Sequence, residues 1–260
     1  MRNLIYKLYE QRLERGLLPQ DLPHHVAVML DGNRRWAELR VGEGAKPRHG
    51  HAAGAQKIHD FLHWCDEIGI RTVTLYLLSI DNLLRRQSEE LNDLVSIIGD
   101  LAADLSADGR YRLQVMGERE ALPEGLRDAL DAAVQASAGA RVDASHGVHV
   151  NMAVGYGGRN EIADAMRSIL KSHSSQGTSI DELASLLTPE LISEHLYTGG
   201  QPDPDLIIRT SGEQRLSGFL LWQSASSELY FEEALWPDFR KVDFLRAIRA
   251  FESRHRRFGA

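Results

Sequence analysis

Asp31-Gly32-Asn33-Arg34-Arg35-Trp36 sets a carboxylate, a flexible backbone unit, an amide and two guanidinium groups side by side. Arginine forks, backbone N–H groups beside glycine and helix N-termini are the groups that hold phosphates. Three further stretches carry polar groups of the same kind: Ser79-Ile80-Asp81-Asn82, Gly155-Tyr156-Gly157-Gly158-Arg159, and the run from Arg209 through Arg215 to Ser217. A plainer reading of the first stretch has Asp31 or Asn33 capping the next helix while the arginines face water. The Gly-Tyr-Gly-Gly turn reads equally as a strand-to-helix turn or a phosphate cradle. Neither GxxxxGK[ST] nor GxGxxG occurs, which excludes a P-loop and a dinucleotide fingerprint. Apolar residues stand among the charges, in Phe219-Leu220-Leu221-Trp222 and Leu229-Tyr230-Phe231, where ordinary core is the simpler reading. An anionic head group with an apolar tail would fit such a site.

These stretches follow strand patterns. Val26 to Leu30 is an apolar run suited to a strand buried on both faces, and Arg71 to Leu78, Tyr111 to Met116, His149 to Val154 and Leu206 to Ile208 read as further strands. Helical patterns alternate with them. One covers residues 2–15, with Leu4, Ile5, Leu8, Tyr9 and Leu13 on a stripe, and one covers 51–68, with Ile58, Phe61, Leu62 and Cys65 on a face. Others cover 89–105, 123–138 and 161–171. Strand followed by helix, repeated, predicts an α/β fold with a mostly parallel central sheet flanked by helices. Ligands bind beyond the carboxyl ends of such strands, so one rim would gather the arginines and hydroxyls. Val41 to Gly50 reads as a mobile loop, 172–179 as a surface loop, and 180–196 as one or two short helices. With no linker and no repeat, residues 1–260 form a single domain.

Composition narrows the class. A chain of 260 residues, 43% hydrophobic and 26% charged, is an ordinary globular protein, and its net charge of −7 argues against nucleic-acid binding. A lone cysteine, Cys65, excludes an intramolecular disulfide or a CxxC metal site and reads as a small buried hydrophobe. No apolar run approaches the roughly 18 residues of a membrane span, and no signal-peptide h-region is present, so the expectation is cytoplasmic. Arg246, Arg249, Arg254, Arg256 and Arg257 suit a solvated helix face, with weak association at an anionic membrane surface as the alternative.

In order and spacing, the blocks at 31–36, 79–82, 155–159 and 209–217, with Glu228, resemble the signature blocks of the cis-prenyltransferases, the undecaprenyl diphosphate synthase family. That resemblance implies a homodimeric α/β fold with a hydrophobic tunnel. The reaction it implies is condensation of isopentenyl diphosphate onto an allylic diphosphate with a new Z double bond. Asp31 would sit at the allylic diphosphate and hold Mg²⁺, with Glu228 completing the metal site. Gly32, Asn33, Arg34, Arg35 and Trp36 would bind the allylic diphosphate and its first isoprene, with His51 nearby. Ser79, Ile80, Asp81, Leu83 and Arg85 would belong to the same substrate site. Arg209, Arg215, Leu216 and Ser217 would hold isopentenyl diphosphate, and Asn82 is the proposed proton acceptor. Arg257 and Gly259 match the Arg-x-Gly ending that reaches into the neighbouring subunit. Breaking an allylic C–O bond leaves a carbocation and a diphosphate, so Mg²⁺ and arginines in a dry cavity would supply the catalysis.

Departures from the pattern mark the finer questions. The Ser-Ser/Thr-Glu-Asn block is Ser79-Ile80-Asp81-Asn82 here, and Leu83 replaces a frequent aromatic. A one-residue insertion makes Arg86 a rival of Arg85, and an arginine expected before Gly50-His51 falls on Pro47, with Arg48 beside it. Two rivals remain. A trans-prenyltransferase would carry Asp-Asp-x-x-Asp motifs, and this chain has no Asp-Asp pair. A non-catalytic partner subunit would lose the catalytic Asp, which is present as Asp31. Product length turns on Leu77: strand alternation would put it on the same face as Ser79, roughly 7 Å deeper. Long-chain family members tend to have a small residue there. A Leu would stop growth early, favouring geranyl diphosphate as starter and (2Z,6E)-farnesyl diphosphate as product, with a longer decaprenyl or undecaprenyl product as the alternative.

Overall fold

The computed structural model describes residues 9–85, 88–143 and 145–258. Its centre is a sheet of six strands in the order β3-β4-β2-β1-β5-β6, every neighbouring pair parallel. The strands are β1 His25–Met29, β2 Thr72–Ser79, β3 Tyr111–Met116, β4 Val148–Tyr156, β5 Leu206–Arg209 and β6 Glu228–Phe231. All five residues of β1 are buried, as a strand covered on both faces requires. Val26 and Val28 pack into the larger core with Ile58, Phe61 and Leu62, while Ala27 and Met29 meet Phe219 and Leu220 on the opposite face.

Helices cover both faces. In chain order they are α1 (9–14), α2 Asn33–Val41, α3 Pro47–Ile68, α4 Ile80–Arg85, α5 Ser88–Asp108, α6 Glu124–Ser137, α7 Gly158–Ser175, α8 Ile180–Leu186, α9 Pro189–His195 and α10 Lys241–Phe258. Pro47 opens α3 at a position whose N–H would have no helical partner, and Gly69 closes it at φ 92°, donating its N–H to the Cys65 carbonyl. Between those ends Ile58, Phe61, Leu62 and Cys65 are buried together, as their spacing predicts. Phe61 meets Phe244 of α10 edge-on at 5.2 Å, one of the contacts that fasten α10 over this face.

Three expectations are corrected. Half of 41–50 is helical, since α2 runs through Val41 and α3 begins at Pro47, leaving residues 42–46 as loop. β6 is a strand where only apolar core was expected, and α4 follows β2 directly. Of the predicted N-terminal helix, Leu4, Ile5 and Leu8 lie outside the described residues, and 9–14 are helical. No helix among the described residues is long and apolar enough to cross a membrane.

Candidate active site

Parallel pairing brings the chemistry to one rim. Met29 of β1 is level with Tyr76 of β2 and with Arg209 of β5, so the segments leaving these strands emerge side by side. Arg209, 5% exposed, organises this rim. Its Nη2 donates to Asp31 Oδ2 at 2.9 Å, and its Nη1 donates to Ser217 Oγ at 2.9 Å and to the Arg215 carbonyl. Thr210 ties the two loops further, accepting the Asp31 N–H at 3.0 Å and donating to the Asp31 carbonyl at 2.8 Å. Burial opposes ionisation of Asp31. The hydrogen bond and charge of Arg209, with Arg35 at 3.8 Å, outweigh it and hold the carboxyl below its ordinary range. Asp31 is therefore an anion with a cationic bracket. The bracket loop itself is contorted, with φ of 80° at Ser211, 48° at Ser217 and 46° at Leu220. Tyr156 braces it by accepting the Leu220 N–H at 3.2 Å while donating to the buried Glu161.

Neither Asp31 nor Asn33 caps α2. The N-cap is Gly32, at φ 107°, with no side-chain cap, and the Asn33 amide instead donates to the Leu30 carbonyl at 3.1 Å. A Cβ on Gly32 would lie 2.8 Å from Leu235 Cδ2, so both the turn and the close approach call for glycine. The first N–H groups of α2 are thus left for an anion. Gly50 and Gly54, one turn apart on α3, let this helix start come close: a Cβ there would lie 1.9 Å from the Asn33 carbonyl oxygen and 2.3 Å from its Oδ1.

A cavity of about 800 Å³ opens from this rim. Asp31, Arg34, Arg35, His51, Ser79, Asp81, Asn82, Arg85, Arg209, Arg215 and Ser217 border it, and Ile58, Leu77, Leu94, Ile97, Ile98 and Leu101 give it an apolar wall. Asn33 Oδ1 and Arg209 Nε are buried without a hydrogen-bond partner on this wall. Tyr76, bonded to the Ser79 side chain and pushed up to about 12 mainly by burial, stays a neutral phenol at the cavity edge. Across the mouth, Glu90 of α5 faces His51 at 3.3 Å and Arg34 at 3.9 Å.

The family model "Putative undecaprenyl diphosphate synthase" matches residues 29–259, which contain the whole of this rim. The chain belongs to the cis-prenyltransferase family. It is 54% identical over 255 residues to the (2Z,6E)-farnesyl diphosphate synthase of Thermobifida fusca, covering 98% of this chain and 97% of the relative. It is 48% identical over 258 residues to the short-chain Z-isoprenyl diphosphate synthase of Mycobacterium bovis, covering 98% and 95%. Among solved structures it resembles lavandulyl diphosphate synthase of Lavandula x intermedia in complex with dimethylallyl diphosphate. That likeness has a TM-score of 0.80 at 32% identity and covers 90% of this chain and 96% of the other.

Several residues with family roles stand elsewhere in this cis-prenyltransferase. Glu228 opens β6 level with Leu206, three positions and roughly 10 Å before the Arg209 level, and its carboxylate holds Arg254 at 2.7 Å. Within one chain the structure does not bring Glu228 to the cavity that Asp31 borders. Trp36 turns away from the cavity, its Nε1 donating to Asp238 at 2.8 Å. Leu83 is buried in the core, Ile80 packs against that core and Leu216 against the opposite one, none of them on the cavity wall. Gly158 donates its N–H to the Gly218 carbonyl at 2.9 Å, so the Gly-Tyr-Gly-Gly segment is a packing turn. The alternation argument for Leu77 fails as well. The β2–β4 register shifts on both sides of Leu78, so Leu77 joins the larger core face while Ser79 bonds Tyr76 of the other; both still border the cavity. Arg86 and Gly259 lie outside the described residues, as does the Arg257 side chain.

Sequence reasoning passed over Tyr76, Gly54 and Trp236, all on the cavity wall. Gly50-x-x-x-Gly54 at helical spacing was the one available signal.

Proposed function

We propose that this chain condenses isopentenyl diphosphate with an allylic diphosphate, preferring geranyl diphosphate, to form (2Z,6E)-farnesyl diphosphate. The observation that carries the reading is one cavity with a cationic rim at Arg35, Arg209 and Arg215 and an apolar wall that includes Leu77. The names of the Thermobifida and Mycobacterium relatives support a short product.

In this reading the free N–H groups of α2, with Arg34 and Arg35, hold the allylic diphosphate, and Arg215 and Ser217 hold isopentenyl diphosphate beside it. Arg209 brackets Asp31 and Ser217, so the two subsites are tied to each other. As the allylic C–O bond breaks, the diphosphate keeps the electron pair. The alkene of isopentenyl diphosphate supplies the pair for the new C–C bond, and a proton leaves the adjacent carbon toward Asn82 or a diphosphate oxygen. Charge on the departing diphosphate is met by groups already oriented toward it.

Mg²⁺ fits Asp31. No group of three or more His, Cys, Asp or Glu residues forms a cation cage among the described residues, and Mg²⁺ ordinarily takes one or two carboxylates plus substrate phosphates and water. Asp31 would hold it with diphosphate oxygens, where the ion would neutralise leaving-group charge. A homodimer, with Arg257 and Gly259 serving the neighbouring site, completes the proposal. The test is incubation with Mg²⁺, labelled isopentenyl diphosphate and dimethylallyl, geranyl or farnesyl diphosphate. Best use of the geranyl starter and a single condensation are expected; a polyprenyl product overturns the reading.

A further inference from the structure

The helix that carries the anion site rests its start closely on α3 but has little apolar packing of its own. α2 is nine residues long and buries only Ala37, so neither helix propensity nor apolar packing sets its rotation about its own axis. Rotation matters, because Arg34, Arg35 and Glu38 border the cavity while Trp36 and Arg40 lie on another face. What that second face meets is the short turn Trp236–Asp238.

This turn grips the site at several points. The Trp236 N–H donates to the Asp31 carbonyl at 3.0 Å, and its indole Nε1 donates to the Gly54 carbonyl at 2.8 Å. Trp236 is wholly buried, stacked on Phe239 at 5.5 Å, so the turn is a rigid base. From that base Asp238 reaches α2, its Oδ1 accepting from Trp36 Nε1 at 2.8 Å and its Oδ2 from Arg40 Nη2 at 2.6 Å. The Arg40 pair is largely exposed, with side chains 61% and 37% accessible, and such pairs contribute little. The Trp36 bond is the directional one. Trp36 and Arg40 are four apart, so one carboxylate holds a full turn of helix against rotation.

We propose that Asp238 is a positioning residue for the allylic substrate: through Trp36 it fixes the rotation of α2, and so the aim of Arg35 and of the helix's first N–H groups. This rests on the reading that the allylic diphosphate binds at the start of α2.

Five variants test it by steady-state kinetics with each substrate varied in turn, and with thermal unfolding followed in parallel. Asp238→Ala and Trp36→Phe should each raise the allylic KM about tenfold, the effect of one well-made hydrogen bond, and leave the isopentenyl KM within about twofold. Asp238→Asn still presents an oxygen to Trp36 and should stay near wild type. The Asp238→Ala/Trp36→Phe double variant should be no worse than Asp238→Ala, because both changes delete one bond. If both KM values rise together, if only kcat falls, or if Asn behaves as Ala does, Asp238 is not a positioning residue. Should Asp238→Ala fail to fold, Trp36→Phe carries the decision, since it keeps an aromatic ring and deletes the donor. Arg35→Ala separates the two readings. An allylic KM raised by Arg35→Ala but untouched by Asp238→Ala and Trp36→Phe sinks the pin alone, whereas one untouched by Arg35→Ala sinks the site assignment and the pin with it.

Discussion

Arg209 reaches Asp31, Ser217 and the Arg215 carbonyl with one guanidinium, so removing it should disturb both diphosphate subsites. Arg209→Ala is expected to weaken isopentenyl diphosphate use by about 1.5–3 kcal/mol, the range for a hydrogen bond to a charged group, read as kcat/KM. Asp31→Ala should abolish turnover in a protein that still folds, because the carboxylate sits at a turn on the cavity and not in the core, with a lower melting temperature from the lost Arg209 pair. A folded Asp31→Ala protein with normal activity would refute its role. The pH dependence has a definite sign. With the folded-state value of Asp31 depressed by Arg209 against the opposing effect of burial, its contribution to stability is complete above the unfolded carboxylate value. It is then lost as pH falls through the lower folded value. Asp31→Asn should therefore flatten the acid side of the stability profile, checked by thermal melts across acidic pH.

At the scale of elements, the close approach of α2 to α3 depends on the absence of two side chains. Gly50→Ala would place a Cβ 1.9 Å from the Asn33 carbonyl oxygen, a backbone atom that can move only with the helix start. Its expected outcome is a displaced α2 and an allylic KM raised more than the isopentenyl KM, measured beside a melting curve that shows the variant folded. Leu77 presents the other element-level question. It borders the cavity from a bulged part of β2, packed against the core. Leu77→Ala should lengthen the products, and because the side chain is only half-buried, its stability loss should sit near the lower end of the usual range, about 2 kcal/mol. Unchanged product length in the folded variant would show that another wall residue stops the chain.

For the whole molecule, the sheet gathers segments from three separate parts of the chain at one rim, and the metal role proposed for Asp31 depends on that assembly. EDTA should stop turnover reversibly, with activity restored by Mg²⁺; full activity in EDTA would contradict the role given to Asp31.

Local sequence determined the alternation of strands and helices, because periodicities of two and 3.6 residues are written in apolar spacing. Val26–Met29 inside the sheet and Ile58, Phe61, Leu62 and Cys65 on one face of α3 follow from that alone. The ordered blocks at 31–36, 79–82 and 209–217 likewise announced the family. Tertiary structure decided which members of those blocks meet the cavity. Trp36 turns away because Asp238, far along the chain, offers its indole a carboxylate, and Glu228 stays at the opposite end of β6 because the β5–β6 register puts it beside Leu206. The irregular β2–β4 pairing separates Leu77 from Ser79, since one extra residue reverses the facing of all that follow. Each of these rests on a contact between distant segments, which residue spacing along the chain does not encode.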